Sequence, residues 1–174
     1  MLQLATGGET VQSNVAEFSR LFDEYHGMVF RTAYRLTGNA ADAEDVLQNI
    51  FLRLVRRPPA DRLTDEESYL RRAAVNASLD VLRAKQTASA VPLQEVSNHA
   101  SGSNASEIRE SLRRAFARLS PRSAEIFALR YLEDFSNQQI GRMLNISHVL
   151  VAVILHRTRR QLQKEIRAYF GGSL

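Results

Sequence analysis

The side chains with chemistry to offer in these 174 residues are arginines, carboxylates and amides. Cysteine is absent, which removes a disulfide framework, a thiolate zinc site and a thiol nucleophile. His26, His99, His148 and His156 show no metal-ligand spacing. No acid–base pair or nucleophile constellation stands out either, so the expectation is a protein that is not an enzyme, with no metal and no cofactor. Arginine does stand out: of 23 basic residues only Lys85 and Lys164 are lysine. A guanidinium is a planar fork that suits phosphate or a guanine edge, although a coding bias towards arginine gives the same count. The placement adds more. Residues 1–85 carry a net charge of −1, residues 86–106 carry only Glu95, and residues 107–174 carry +6. A neutral front and a basic back suggest two modules, the second suited to a polyanion.

The elements that must hold these groups are helical. Phe18, Leu21, Phe22, Tyr25, Val29 and Ala33 recur at helical spacing over 15–36, with an interruption possible at Gly27. Gly38 is placed to end that helix and Asn39 to cap the next, whose first turn carries Asp42. Pro58-Pro59 stops the second helix, and a third is expected over about 66–85. Residues 1–14 and the terminal GGSL read as frayed. No alternating strand is visible, so the expected fold is all-α: two small helical modules, 15–85 and 107–170, joined by a flexible linker over 86–106, a stretch rich in Ser, Ala and Asn. The longest apolar run, Val149 to Leu155, is far below the roughly 18 residues that span a bilayer. The opening MLQLATGGET has no secretory-signal pattern. No stable membrane insertion and a cytoplasmic location are expected.

In the second helix, Ala43, Val46, Leu47, Ile50 and Leu54 form the core stripe. The opposite stripe holds Asp45, Gln48, Asn49, Leu52 and Arg56. Leu52 is thus an apolar residue ringed by polar ones, as ordinary surface leucines are and as the centre of a protein-binding patch is.

The basic half contains a helix-turn-helix pattern. Ser120 precedes Pro121 as an N-cap precedes N1. Ser136 and Gln139 form a capping-box pair opening a short helix through Leu144. Asn145 suits the left-handed turn, and Ser147 caps a last helix to about Arg167. The second helix of such a pair reads the major groove when the motif binds DNA.

These segments together carry a family resemblance. DAEDVLQNIFLRLVRR (42–57), preceded by LFDEYHGMVFRTAYRLTG (21–38), resembles the core-binding helix of bacterial RNA polymerase sigma factors. SYLRRAAVNASLDVLRAKQ (68–86) resembles their promoter-melting segment, and LRRAFARLSPRSAEIFALRYLEDFSNQQIGRMLNIS (112–147) the start of their C-terminal module. The order and the two-module layout are similar to the extracytoplasmic-function (ECF) group. The resemblance implies a front module on the polymerase clamp helices that opens the minus-ten element. It implies a back module on the polymerase flap that reads the minus-thirty-five element, and an anti-sigma factor as a further partner. Asp45, Gln48, Asn49 and Leu52 match polymerase-facing positions. Tyr69 stands where relatives usually have Trp, and Asn76 matches a position that touches an extruded base in some of them. Arg71, Arg72, Arg83 and Lys85 are the candidates for nearby phosphates.

The chain departs from that family at the reading helix. Relatives usually read S-x-G-T-V-K-S-R there, whereas this chain runs Ser147-His148-Val149-Leu150-Val151-Ala152-Val153-Ile154. Wheel geometry packs Val151, Leu155, Thr158 and Leu162 and leaves Val149, Leu150, Ala152, Val153 and Ile154 on exposed or flanking faces. Apolar side chains touch thymine methyls but make no bidentate bonds to bases. His156, Arg157, Arg159 and Arg160 remain for phosphate. Four outcomes are open: an altered or weakened DNA preference, a protein partner, an impaired paralogue, or burial between the modules. The expected function is a promoter-selective sigma factor, with a sigma-like interaction protein lacking productive upstream recognition as the alternative.

Overall fold

A computed structural model of the chain describes residues 7–56, 65–89 and 104–170. Among them are seven helices and no strand: α1 Gly7–Thr37, α2 Ala40–Arg56, α3 Glu66–Ser89, α4 Asn104–Arg118, α5 Pro121–Tyr131, α6 Asn137–Leu144 and α7 His148–Phe170. The helix ends follow local chemistry. Gly38 closes α1 at φ +66°, a conformation open to glycine at no steric cost. Asn39 Oδ1 accepts from the Asp42 N–H at 3.1 Å to start α2. Asp65 Oδ1 accepts from the Ser68 N–H at 2.9 Å to start α3.

Two apolar clusters organise these helices. The first joins α1, α2 and the start of α3 through Val29, Ala33, Val46, Ile50, Phe51, Leu54, Leu70 and Ala74. The second centres on α4 to α7, through Phe116, Ile126, Leu129, Ile140, Leu144, Val151, Leu155 and Leu162. Four residues of the front half, Leu36, Val75, Leu79 and Leu82, pack into this second cluster. The consecutive residues Ala74 and Val75 therefore serve different clusters, and α3 is the seam between the halves.

Several boundaries differ from the sequence expectation. Helix α1 begins at Gly7 and passes Gly27 without a break, so residues 7–14 are helical rather than frayed. Helix α3 continues to Ser89 and α4 begins at Asn104, so helix enters both ends of the expected linker. The good helix formers Leu82, Arg83, Ala84, Lys85 and Gln86 carry α3 onward. Residues 1–6, 57–64 (with Pro58-Pro59), 90–103 and the terminal GGSL lie outside the described residues.

Candidate functional site

The polar face of α2 is assembled by its own core. Ala43, Val46, Ile50, Phe51 and Leu54 are buried, and Leu47 is partly so. Phe51, absent from the expected stripe, is reached by edge contacts from Phe18 and Phe22 of α1. With that side packed, Asp45, Gln48, Asn49 and Leu52 all face outward. Leu52 keeps 48% of its surface. Asn49, Leu52, Arg53 and Arg56 line a groove of about 1030 Å³ shared with Asn76 and Asp80 of α3.

Most of the candidate DNA contacts on α3 are engaged within the chain. Arg71 Nη1 donates to Glu133 at 2.5 Å, and its other nitrogens donate to Glu67 at 2.9 and 2.7 Å. Burial disfavours the Arg71 charge, but the two carboxylates outweigh it and raise its pKa above the ordinary arginine value. Arg72 Nε donates to Glu125 at 2.6 Å, and Asn76 Nδ2 donates to the same oxygen at 2.9 Å. Arg83 pairs with Asp80 at 3.1 Å one turn away. Lys85 pairs with Asp42 of α2. Tyr69 is on the exposed side of α3.

The receiving carboxylates belong to the back half. Glu125 lies on α5 and Glu133 just past its end, and the Glu133 side chain has no exposed surface. Arg35 at the end of α1 also donates to Glu133, at 3.1 Å, and to the Leu132 carbonyl at 2.9 Å. Buried carboxylates need such partners, because an unpaired one costs several kcal/mol, on the order of 3–5. Sequence reading passed over Arg35, Glu125 and Glu133. The available signal was Glu125 inside the otherwise apolar AEIFAL, an acid on a buried stretch.

The helix-turn-helix forms from its caps. Ser120 accepts from Ser123 N, and Pro121 opens α5. Ser136 and Gln139 exchange side-chain and backbone bonds in a complete capping box. Asn145 takes φ 51° at the end of α6, and Ser147 accepts from the Leu150 N–H at 3.1 Å to start α7. Gly141 is a further requirement: a Cβ there would stand 2.7 Å from the Ile146 carbonyl oxygen. Helices α6 and α7 meet at 106°, within the range of helix-turn-helix pairs.

On α7, Val151, Leu155, Thr158 and Leu162 are buried. Val149, Leu150, Ala152 and Val153 are exposed and Ile154 is partly covered. Burial of this patch between the modules is therefore overturned. The modules meet instead along α3, α4 and α5. His156, Arg157 and Arg160 are exposed. Arg159 is bonded to the Tyr131 hydroxyl and lies 5.5 Å from that ring's centre, a cation–π contact. Among the described residues no group of His, Asp and Glu is placed to hold a metal ion. No single helix among them is long and apolar enough to cross a membrane.

Comparison with known proteins adds to this geometry. The Sigma-70 region 2 family matches residues 21–88, and the Sigma-70, region 4 family matches residues 109–162. The chain is 31% identical over 150 residues to the ECF RNA polymerase sigma factor SigL of Mycobacterium tuberculosis (strain ATCC 25618 / H37Rv), covering 82% of this chain and 85% of that one. It is 26% identical over 166 residues to the ECF RNA polymerase sigma factor SigW of Bacillus subtilis (strain 168), covering 86% and 89%. A chain in a solved RsbN-BldN complex is 26% identical, with 90% and 96% covered and a TM-score of 0.36.

Proposed function

The chain belongs to the ECF group of RNA polymerase sigma factors, and from that premise we propose which of its residues do the work and what must happen first. Members of this family bind core RNA polymerase and promoter DNA and direct promoter-specific initiation, and this chain does so too. The observation that carries this conclusion is the ordered pair of matches, region 2 over 21–88 and region 4 over 109–162, in one chain. The chain performs no catalytic step of its own, since polymerase does the chemistry. It works in the cytoplasm, where polymerase and promoter meet.

Asp45, Gln48, Asn49 and Leu52 form the polymerase contact in this proposal. Their shared exposure on a helix whose opposite side packs into the front core supports it. Tyr69 and Asn76 receive the opened strand, with Arg71, Arg72, Arg83 and Lys85 on its phosphates. Arg157 and Arg160, with His156, meet the upstream duplex, and Arg159 joins them once it leaves Tyr131. An anti-sigma factor is the further partner, holding the chain inactive until a signal releases it.

The pairing across the seam gives this reading an order of events. Arg71, Arg72 and Asn76 cannot serve DNA while Glu125 and Glu133 hold them. The two halves must therefore part, and core polymerase supplies the free energy by binding both. The domain division at residues 15–85, 86–106 and 107–170 is the division along which they separate. In vitro transcription with core polymerase and a genomic promoter library tests the function. Initiation at a shared promoter sequence is the expected result, and the activity of core alone, unchanged by the chain, would overturn it.

A further inference from the structure

The tip of α7 is an apolar surface set in a basic frame. Val149, Leu150 and Val153 expose 59, 44 and 40% of their surface, and Ala152 is exposed beside them. Contiguous apolar surface of this kind marks a contact site. At about 100° per residue, Val149, Val153, His156 and Arg160 fall within one stripe roughly 60° wide. Along that stripe the chemistry changes from apolar to cationic. Val149 to Val153 covers about 6 Å of helix, and Arg160 lies about 16 Å from Val149. The major groove is about 12 Å wide. An apolar tip inside the groove therefore places Arg157 and Arg160 over the phosphates that border it. In a helix-turn-helix pair, as α6 and α7 are with their 106° crossing, the first turns of the second helix meet the base edges.

A protein partner for this patch would have to meet the same cationic stripe with acid. Duplex DNA supplies that negative charge on both groove walls and an apolar group on its floor, the thymine C5-methyl. We propose that Val149, Val153 and their neighbours Leu150 and Ala152 read thymine methyl groups in the major groove of the upstream promoter element. A·T pairs are then selected by hydrophobic contact, in place of the bidentate hydrogen bonds that a polar reading helix makes. The inference rests on the sigma-factor reading above and adds the base class that this chain's own side chains select.

Deoxyuridine isolates the claim, since it keeps every hydrogen-bonding group of thymine and lacks only the methyl. Core polymerase loaded with the full chain first selects promoters from a library. A selected promoter is then resynthesised with deoxyuridine for thymine in the upstream element alone. The expected result is a rise in the half-saturating holoenzyme concentration of about fourfold for each thymine contacted, the ratio that burial of one methyl-sized group carries. The Val149→Ala, Val153→Ala double variant should discriminate less between the thymine and deoxyuridine promoters, Leu150 and Ala152 keeping the remainder. Both substitutions are on exposed positions, and an unchanged circular dichroism spectrum verifies the fold. Equal binding of the two promoters by the unmodified chain overturns the inference, as does a selected upstream element without thymine. Absence of initiation from every library member refutes the sigma-factor reading beneath it as well, so the two failures are distinguishable.

Discussion

Glu125→Gln combined with Glu133→Gln should open the molecule without unfolding it. The two carboxylates accept four hydrogen bonds from the front half: Arg35 and Arg71 to Glu133, and Arg72 and Asn76 to Glu125. Glutamine keeps the shape but removes the charge and one acceptor oxygen, so at position 133, where Arg35 and Arg71 bond different oxygens, one arginine faces an amide N–H. A hydrogen bond to a charged group is worth about 1 kcal/mol more than a neutral one, so three weakened bonds and one lost outright cost about 4 kcal/mol or more. Half of that is recovered, because the side chains of Arg35 and Arg72 are 50% and 39% exposed and regain water. Arg71 also retains Glu67. The net loss is about 2 kcal/mol, or roughly a thirtyfold rise in the open-to-closed ratio. The apolar seam of Leu36, Val75, Leu79 and Leu82 remains. The absence of cysteine makes the assay simple: Arg53→Cys on α2 and Gln163→Cys on α7 take a dye pair, and single-molecule energy transfer counts open and closed molecules. An unchanged open fraction would refute the latch. A rise accompanied by loss of helical signal would show that the two glutamates support the back module's fold and do not latch it.

Further outcomes follow from the same geometry. Leu52→Ala with Gln48→Ala should weaken binding to core polymerase more than tenfold, a loss above about 1.4 kcal/mol, and change thermal stability by less than about 1 kcal/mol. A polymerase titration and a thermal melt check the two halves of that statement. Gly141→Ala should destabilise the helix-turn-helix by about 1–3 kcal/mol, because its methyl meets the Ile146 carbonyl, and denaturant unfolding measures it. Arg157→Ala and Arg160→Ala should each reduce the salt slope of duplex binding by about 0.9 and leave the thymine preference intact. Asp65→Ala should cost about 1 kcal/mol at neutral pH. The hydroxyl and N–H of Ser68 hold the Asp65 carboxyl below the ordinary carboxylate range, so its stabilisation is complete above the unfolded value of about 3.9. It is lost as pH falls through the lowered folded value, and melts of both proteins across acid pH should converge there.

The parts of this structure that were legible in the sequence are those written locally. Asn39, Ser120, the Ser136 and Gln139 pair, Asn145 and Ser147 each act within about one helical turn, and each sits at the helix end its chemistry demands. The buried face of α7 was legible because 3.6-residue periodicity decides it, and Val151, Leu155, Thr158 and Leu162 obey it. The seam was not legible. Arg35 and Glu133 are 98 positions apart, and Arg72 and Glu125 are 53 apart. Nothing local distinguishes an arginine aimed at phosphate from one aimed at a distant carboxylate, since both want the same planar acceptor. Phe51 was passed over for a related reason: its burial comes from Phe18 and Phe22 on another helix, which widen the packed side of α2 beyond a single stripe.

On the proposed function, this chain, added to core polymerase, opens along α3 and directs initiation at chosen promoters. One reaction measures both: initiation from a library-selected promoter, recorded while energy transfer between α2 and α7 is followed in the dye-labelled chain. Initiation should rise to a plateau at one chain per polymerase, and energy transfer should fall with the same dependence on polymerase. A chain that binds core polymerase yet leaves initiation at the level of core alone would contradict this proposal, as would full initiation with the energy transfer of the closed form.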